Sequence, residues 1–246
     1  MTKSTKITAI IAFLFAASIA SADEDSPTYP PQKSKTIFTD DFNRNESDNT
    51  LEEIGPGWWS NSPWRAEGRK QADLTDGLLN IKTAEGASHI AVIRRVVPFN
   101  NGMIKSRIRM TDKRGIHFNF YDPKCKTVHA GHICRVSFKP GSVELRDEKT
   151  GVFDLKIREK IKSGSSKNEI KKLTEGTIAT FDAKLSTQTW HDVTIIFLSN
   201  SITAYVDGEK IGGLRSKGIG HNPKREFAFS VPGSADIDSI SFSKPF

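Results

Sequence analysis

The sequence predicts an all-β fold, an antiparallel β-sandwich with one short charged helical insertion. From Thr36 onward, short apolar runs alternate with polar residues and are separated by Gly, Asp and Asn. The pairs Asp76-Gly77 and Asp207-Gly208 each lie between two apolar runs and favour type I′ hairpin turns. The pattern does not predict long helices between successive strands. More than ten short strands with tight turns are typical of two packed antiparallel sheets.

The elements follow one another along the chain without a long gap. In order, the predicted strands are IFTDDF, DGLLNI, SHIAVIRRVV, GMIKSRIRM, GIHFNFYD, HICRVSFK, SVELRDE, VFDLKIR, TIATFDA, WHDVTIIFL, ITAYV, EKIGG, REFAFSV and DIDSISF. The single predicted helix runs from Ser166 to Glu175, where a Ser/Asn-rich start precedes Ile170 and Leu173 on one stripe.

The N-terminus has the three parts of a secretory signal peptide. Lys3 and Lys6 precede a short apolar run, and Ala20-Ser21-Ala22 forms a small-residue cleavage site. The run is shorter than the roughly 20 apolar residues that span a bilayer. We therefore expect a signal peptide (1–22), a flexible polar tail (23–35) and a single sandwich domain (36–246). The protein is expected to be exported after cleavage near Ala22, with no membrane span.

Charge is concentrated in one segment of the chain. The formal net charge is +7, and Lys3 and Lys6 leave with the signal peptide. Residues 155–172 hold seven Lys or Arg against two Glu, so the rest of the mature chain is balanced. A uniformly basic face is therefore absent, and nucleic acid is not an expected partner. We interpret the segment as a solvated insertion, with a surface for polyanions as the alternative.

The stretch KTVHAGHICRV concentrates reactive side chains. Cys125, His129, His132 and Cys134 are ligands of zinc type, but their spacing matches no common zinc motif. In an exported protein the two cysteines form a disulfide or remain as two thiols, and the sequence leaves both alternatives open. We predict neither a metal site nor a cofactor. Ala130-Gly131 predicts a turn that brings both imidazoles to the rim of a sheet face.

The predicted strands GIHFNFYD and VFDLKIR each carry polar side chains on one face and apolar side chains on the other, because successive side chains of a strand point to opposite faces. Together with HICRVSFK they predict a groove with these polar side chains: His117, Asn119, Tyr121, Asp154, Lys156, Arg158, and His132 or Arg135. Such donors and acceptors beside an aromatic wall suit recognition of sugars. For the wall we select Trp64 in the tryptophan-rich segment, with Arg65, Lys70 and Gln71 as further substrate-binding residues. An ordinary solvated sheet face is the alternative.

Four motifs carry a family resemblance: FTDDFNR, LTDGLLNI, WHDVTIIFLSNSITAYVDGEKIGG and DIDSISF. The chain resembles the concanavalin A-like lectin/glucanase superfamily of jelly rolls. It most resembles the bacterial branch of exported 3-keto-disaccharide hydrolase-like proteins, from about Thr36 to Phe246. The resemblance is specific for fold rather than for activity, because this architecture hosts lectins, hydrolases, lyases and adhesive modules.

The resemblance implies two kinds of function. The first is hydrolysis or elimination of a glycosidic bond in a 3-keto sugar, and the second is non-catalytic carbohydrate binding or adhesion. For the first, the candidates for acid/base catalysis are His117, His132, Tyr121 and Asp154. Lys156 or Arg135 is the candidate for stabilising the oxyanion, and His129 completes the substrate-binding set.

Retaining β-glucanases of this superfamily carry Glu-x-Asp-x-x-Glu, or the same motif with one residue fewer. Here the nearest stretch is VELRDEKTG, in which Glu144 and Asp147 are three residues apart. On a strand these two side chains face opposite ways. The sequence therefore does not support the glucanase mechanism.

Overall fold

The computed structural model describes residues 34–245. The expected signal peptide and most of the expected tail lie outside the described residues. The expected tail ends too late, because Ser34 and Lys35 already belong to the first strand and pair with Pro245 and Lys244.

The described residues form fifteen strands and three α-helices. The strands are β1 (Ser34–Asp40), β2 (Trp58–Ser60), β3 (Ala72–Thr75), β4 (Leu78–Lys82), β5 (Ala91–Phe99), β6 (Gly102–Met110), β7 (Ile116–Tyr121), β8 (His132–Lys139), β9 (Ser142–Asp147), β10 (Ile178–Asp182), β11 (Trp190–Leu198), β12 (Ser201–Val206), β13 (Glu209–Arg215), β14 (Lys224–Val231) and β15 (Ser234–Pro245). The helices are α1 (Ser62–Arg65), α2 (Leu155–Lys162) and α3 (Lys167–Leu173).

The strands form two antiparallel sheets, which confirms the predicted jelly-roll sandwich. One sheet has the order β13-β12-β11-β6-β15-β4-β3, with β1 paired to β15. The other has the order β10-β9-β8-β7-β14-β5-β2. Neighbours in each sheet are mostly distant in sequence, so both sheets depend on long-range pairing.

Phenylalanine rings fill the space between the two sheets. Phe120 of the seven-stranded sheet lies 4.7 Å from Phe197 of the other sheet, measured between ring centroids. Phe227 lies 5.2 Å from Phe242 across the same interface. Burying a phenylalanine contributes about 1.5–3 kcal/mol, so these rings are a main source of stability. The core fixes which face of each strand points outward.

Turn chemistry follows the sequence. At both Asp-Gly turns the two central residues have positive φ, 55° and 71° at Asp76-Gly77 and 50° and 83° at Asp207-Gly208. The hairpins β3–β4 and β12–β13 are joined as predicted.

The predicted strand VFDLKIR is wrong, because most of this segment is helix α2. The carboxylate of Asp154 accepts hydrogen bonds from the backbone N–H of Lys156 (2.9 Å) and Ile157 (3.2 Å) and thereby caps the helix. Aspartate is a preferred N-cap residue. Only Ile157 of this helix is buried, so the apolar alternation was not a sheet signal. The predicted helix at 166–175 is confirmed by α3, which Ser166 caps.

No helix within residues 34–245 is long and apolar enough to cross a membrane.

Candidate functional site

The outward side of the seven-stranded sheet carries a continuous set of polar side chains. On β7, Ile116, Phe118 and Phe120 belong to the core, as the sequence predicted. The alternating residues of β7 therefore point away from the core. We call this outward side the polar face; its central residues are His117, Asn119, Tyr121, His132, Arg135, Ser137, Glu144, Arg146 and Glu148.

Strand register aligns the polar face into two rows. Residues directly opposite each other in antiparallel strands have Cβ atoms about 4.5–5.5 Å apart and interact. The first row runs Glu144, Ser137, His117, Ser230. The second row runs Arg146, Arg135, Asn119, Ala228, Arg94, Trp59. The second row thus carries three arginines across the sheet and ends on a tryptophan.

Unsatisfied polar atoms concentrate on this face. Among the described residues, five buried side-chain nitrogen or oxygen atoms lack a hydrogen-bond partner, and four lie on the polar face: His117 Nδ1, Arg135 Nε, Ser137 Oγ and Glu148 Oε1. An unpartnered buried polar group costs about 1–3 kcal/mol. Two of these atoms, Arg135 Nε and Glu148 Oε1, lie 3.5 Å from each other as an ion pair, which leaves His117 Nδ1 and Ser137 Oγ without a nearby partner.

Two glutamates flank one guanidinium on the polar face. Arg135 Nη2 lies 3.7 Å from Glu144 Oε1, and Arg135 Nε lies 3.5 Å from Glu148 Oε1. Arg146 donates to both oxygens of Glu144, at 2.6 and 2.8 Å. Burial raises the pKa of Glu144, but the hydrogen bond from Arg146 and the nearby positive charges outweigh it, so the pKa lies below its ordinary value. Glu144 is therefore ionised at neutral pH.

The other glutamate orients a histidine. Glu148 Oε2 lies 2.7 Å from His132 Nδ1, and Glu148 is only 1% exposed. The His132 ring stacks on Phe153 with centroids 3.9 Å apart, and it makes a T-shaped contact with the Tyr121 ring at a centroid distance of 4.7 Å. With Nδ1 donating to the carboxylate, Nε2 carries the lone pair and is the ring atom available for proton transfer.

Two further groups on this face are neutral at physiological pH. Burial, aided by the charges of Arg135 and Lys139, lowers the pKa of His117 to about 4. Burial raises the pKa of Tyr121 to about 12. His117 is thus a neutral imidazole and Tyr121 a protonated phenol, which are hydrogen-bonding groups rather than charges.

An open cleft of about 450 Å³ adjoins the second row at its tryptophan end. Its lining includes Trp59, Arg94, Lys126, Gly131 and Glu226. The Arg94 guanidinium lies 4.3 Å above the Tyr121 ring, and Tyr121 in turn contacts His132. The cleft therefore adjoins the His132–Glu148 pair. The turn of KTVHAGHICRV lines this cleft with Ala130 and Gly131, whereas neither His129 nor His132 is among its lining residues.

The aromatic residue beside this cleft is Trp59, which sequence reasoning missed. Trp58 packs in the core against Phe229. Adjacent residues of a strand face opposite ways, so Trp59 points to the polar face. The tandem pair Trp58-Trp59 was the available signal. The selected residue, Trp64, lies instead on α1 and is 60% exposed.

The other residues selected near Trp64 are not part of the polar face. Gln71 is 2% exposed and donates to Asn61 Oδ1 (3.1 Å) and Ser62 Oγ (3.2 Å). Lys70 is paired with Glu46 and Asp73, and Arg65 is exposed on α1. Because these partners occupy their polar groups, Lys70 and Gln71 have structural roles in this fold.

The expected second polar row does not exist as a sheet row. Asp154 uses its carboxylate as the cap of α2, and Lys156 is exposed on that helix. Arg158 lies 5.6 Å above the Phe153 ring, and His129 lies 6.2 Å from the same ring. The structure therefore brings Arg158 and His129 to the border of the polar face and leaves Asp154 and Lys156 off the sheet.

The two cysteines are free thiols in this structure, Cys134 buried and Cys125 half-buried. The disulfide alternative is therefore not formed here. Within residues 34–245 no group of three or more His, Cys, Asp or Glu side chains is arranged to hold a metal ion.

Several solved structures with similar folds are glycan-degrading enzymes. A laminarinase from Rhodothermus marinus has a TM-score of 0.58 at 14% identity, covering 87% of this chain and 98% of the other. A lichenase derived from a mouse hindgut metagenome has a TM-score of 0.54 at 17% identity, covering 85% and 99%. A GlcNAcα1-4Gal-releasing endo-β-galactosidase from Clostridium perfringens has a TM-score of 0.57 at 11% identity, and this chain covers 65% of its length. These identities show a shared jelly-roll fold.

The comparisons show the jelly-roll fold that the resemblance implied and nothing narrower. No protein-family model matches the chain, and no curated protein sequence matches it either. The narrower resemblance to the 3-keto-disaccharide hydrolase-like branch stays a prediction.

In the structure, the residues that match the glucanase motif are Glu144, Arg146 and Glu148 rather than Glu144 and Asp147. Glu144, Arg146 and Glu148 alternate along β9 and its extension, whereas Asp147 accepts from Ser216 and Gly218 elsewhere. The stretch therefore has the spacing of the shorter form, Glu-x-Asp-x-Glu, with Arg146 in place of the aspartate. Because Arg146 engages Glu144, the conclusion that a standard glucanase mechanism is unsupported stays, for a different reason.

Proposed function

We propose that this is an exported carbohydrate-active protein that binds a glycan across its polar face and cleaves a glycosidic bond beside His132. The observation that carries the proposal is the cluster on the polar face in which Glu148 contacts both His132 and Arg135, with Glu144 on the other side of the Arg135 guanidinium. Sugar hydroxyls donate and accept hydrogen bonds and are suited to these side chains. The signal-like N-terminus supports export.

The His132–Glu148 pair is suited to proton transfer. Glu148 accepts from Nδ1 of His132 and so fixes its tautomer, which leaves Nε2 to act as the base. Phe153 and Tyr121 restrict the ring to one orientation. A base held in this way contributes typically 10²–10⁴-fold to a rate.

A 3-keto glycoside is the substrate that best suits this arrangement. The ketone acidifies the C2 proton, which His132 Nε2 removes while Arg135 stabilises the enolate oxygen. The C1–O bond then breaks, and the departing oxygen takes a proton, leaving an unsaturated ketone to which water can add. This route needs no nucleophilic carboxylate, which agrees with the engagement of Glu144 by Arg146.

Non-catalytic glycan binding is the second candidate. The replacement of the expected aspartate by Arg146 favours it, because a bidentate pair with Arg146 restrains Glu144 from acting as a nucleophile.

The deciding experiment is an activity screen on 3-keto-glucosides and on unmodified β-glucans, with wild type, His132→Ala and His117→Ala. We expect turnover of the keto substrate that is lost in His132→Ala. Binding without turnover in the wild type would establish the non-catalytic function instead. Unchanged activity in His132→Ala would reject the assignment of the base.

A further inference from the structure

The insertion formed by α2 and α3 carries most of the net charge of the protein. Residues 155–172 contain seven Lys or Arg and two Glu, an excess of five positive charges (7 − 2). Among the described residues, the only ion pair within this insertion joins Lys160 and Glu169 at 3.2 Å. Five exposed lysines there have no acidic partner among the described residues: Lys156, Lys162, Lys167, Lys171 and Lys172.

The insertion is joined directly to the polar face. Phe153, which stacks on His132, immediately precedes the capping residue Asp154. The guanidinium of Arg158, in the first turn of α2, lies 5.6 Å from the centroid of the Phe153 ring. A chain bound beside His132 therefore meets the basic helices as it leaves the sheet.

The charged side chains of the polar face and of the adjoining cleft form oppositely charged pairs. Arg135 and Arg146 lie beside Glu144 and Glu148, and Arg94 is 3.3 Å from Glu226. Three arginines thus face three glutamates. The polar face by itself gives little preference for a charged over a neutral glycan, so such a preference has to come from its border.

We propose that the α2–α3 insertion is an anion-binding flank of the glycan site, and that the glycan is an anionic polysaccharide carrying carboxylate or sulfate groups. This inference rests on the proposed function, since it names the substrate class of the same site. Unpaired ammonium groups on a short pair of helices attract such a polymer at distances up to about 8 Å at physiological salt. The exposed positions leave them free to follow a flexible chain.

The test uses one polymer backbone in three charge forms: a β-glucan, its carboxymethylated derivative and its sulfated derivative. Affinity electrophoresis or calorimetry compares wild type with a variant in which Lys156, Lys162, Lys167 and Lys171 are changed to Gln. The matched control changes the same number of exposed lysines elsewhere: Lys82, Lys105, Lys113 and Lys210 to Gln.

We expect the insertion variant to bind the charged polymers at least about tenfold more weakly at low salt, with the difference shrinking as salt screens the charges. The control variant should stay within about twofold of wild type. A larger loss with one charged derivative identifies carboxylate or sulfate as the preferred group. Equal losses in the two variants, or no loss in either, would overturn the proposal.

Two further arms separate this inference from the proposed function. If Arg135→Ala weakens binding of neutral β-glucan while the insertion variant binds all polymers normally, the flank is rejected and the glycan site stands. If the insertion variant loses charged polymers while Arg135→Ala changes nothing, the insertion binds anionic polymers by itself, and both the site on the polar face and the role of the insertion as its flank are rejected. Retention on phosphatidylglycerol vesicles with no binding to the charged glucans would assign the insertion to lipid and overturn the inference.

Discussion

The carboxylate of Glu148 lies 2.7 Å from Nδ1 of His132 and is almost inaccessible to solvent. Its second oxygen has no hydrogen-bond partner among the described residues and lies 3.5 Å from Arg135 Nε. One buried acid thus orients a base and adjoins a cation, so the three side chains act as a unit.

Changing Glu148 to Gln should reduce turnover by about 10²–10⁴-fold while glycan binding changes little, since the amide preserves the volume but cannot stabilise a protonated His132. Steady-state kinetics and calorimetric binding on the same preparations check this. Glu85→Gln, at an exposed position, is the control. Loss of binding with the rate preserved would place Glu148 in recognition rather than in catalysis.

Substitution of the half-buried Trp59 and of the exposed Trp64 should have different effects on glycan binding. Trp59→Ala should weaken glycan binding about tenfold, because it removes a ring beside the cleft that can stack on a sugar. Trp64→Ala should leave binding unchanged, since Trp64 lies on α1 and is not among the residues that line that cleft. Intrinsic fluorescence titration measures both. A larger effect at Trp64 than at Trp59 would show that Trp64, as predicted from the sequence, is the aromatic residue that contacts the glycan.

Sequence reasoning predicted the fold better than the site for a physical reason. The period-2 alternation of a strand reports which face is buried, so the polar side of GIHFNFYD was identified correctly. The same alternation in VFDLKIR was misleading, because an aspartate cap and charged helix-forming residues outweighed three apolar positions.

The partners on neighbouring strands could not be inferred from local pattern. The register of β8 against β9 places Arg135 opposite Arg146, and only that pairing brings Arg135 between Glu144 and Glu148. Glu148 itself was visible in the sequence, but its role depends on His132, which lies sixteen residues away in the chain. Long-range register of this kind is set by tertiary packing.

Gln71 should matter for stability and not for binding. Its amide nitrogen donates to Asn61 and Ser62, and its oxygen accepts from the backbone N–H of Ala84 at 3.1 Å. Gln71→Ala leaves these buried groups unsatisfied, which should lower the free energy of unfolding by about 2–4 kcal/mol. Urea unfolding measures this against Asn168→Ala, an exposed control. A neutral result with weakened glycan binding would return Gln71 to the site.

The cysteines should behave as two thiols of unequal accessibility. Cys125 is half-buried and should react with a thiol reagent in the native protein, whereas buried Cys134 should react only after unfolding. Burial also raises the pKa of Cys134, which keeps it in the unreactive thiol form. Mass spectrometry after native and denaturing alkylation counts the labels. Two protected thiols that become reactive only after reduction would demonstrate the disulfide.

His117 should make stability fall as the pH falls below neutrality. Its pKa is about 4 in the folded protein, lowered by burial and the charges of Arg135 and Lys139, against an ordinary value of 6.5. Above pH 6.5 both states hold the neutral ring and the stability is complete. Between pH 6.5 and 4 the unfolded chain binds a proton that the folded chain does not, so stability declines through that window.

Replacing His117 with Gln should flatten this decline, because no proton is then taken up on unfolding at that position. Urea unfolding at several pH values between 7.5 and 4 gives the slope of stability against pH for each variant. His89→Gln, at an exposed position, should keep the wild-type slope. If the His117 variant loses stability with falling pH as steeply as wild type, the buried neutral imidazole is not the source of the decline.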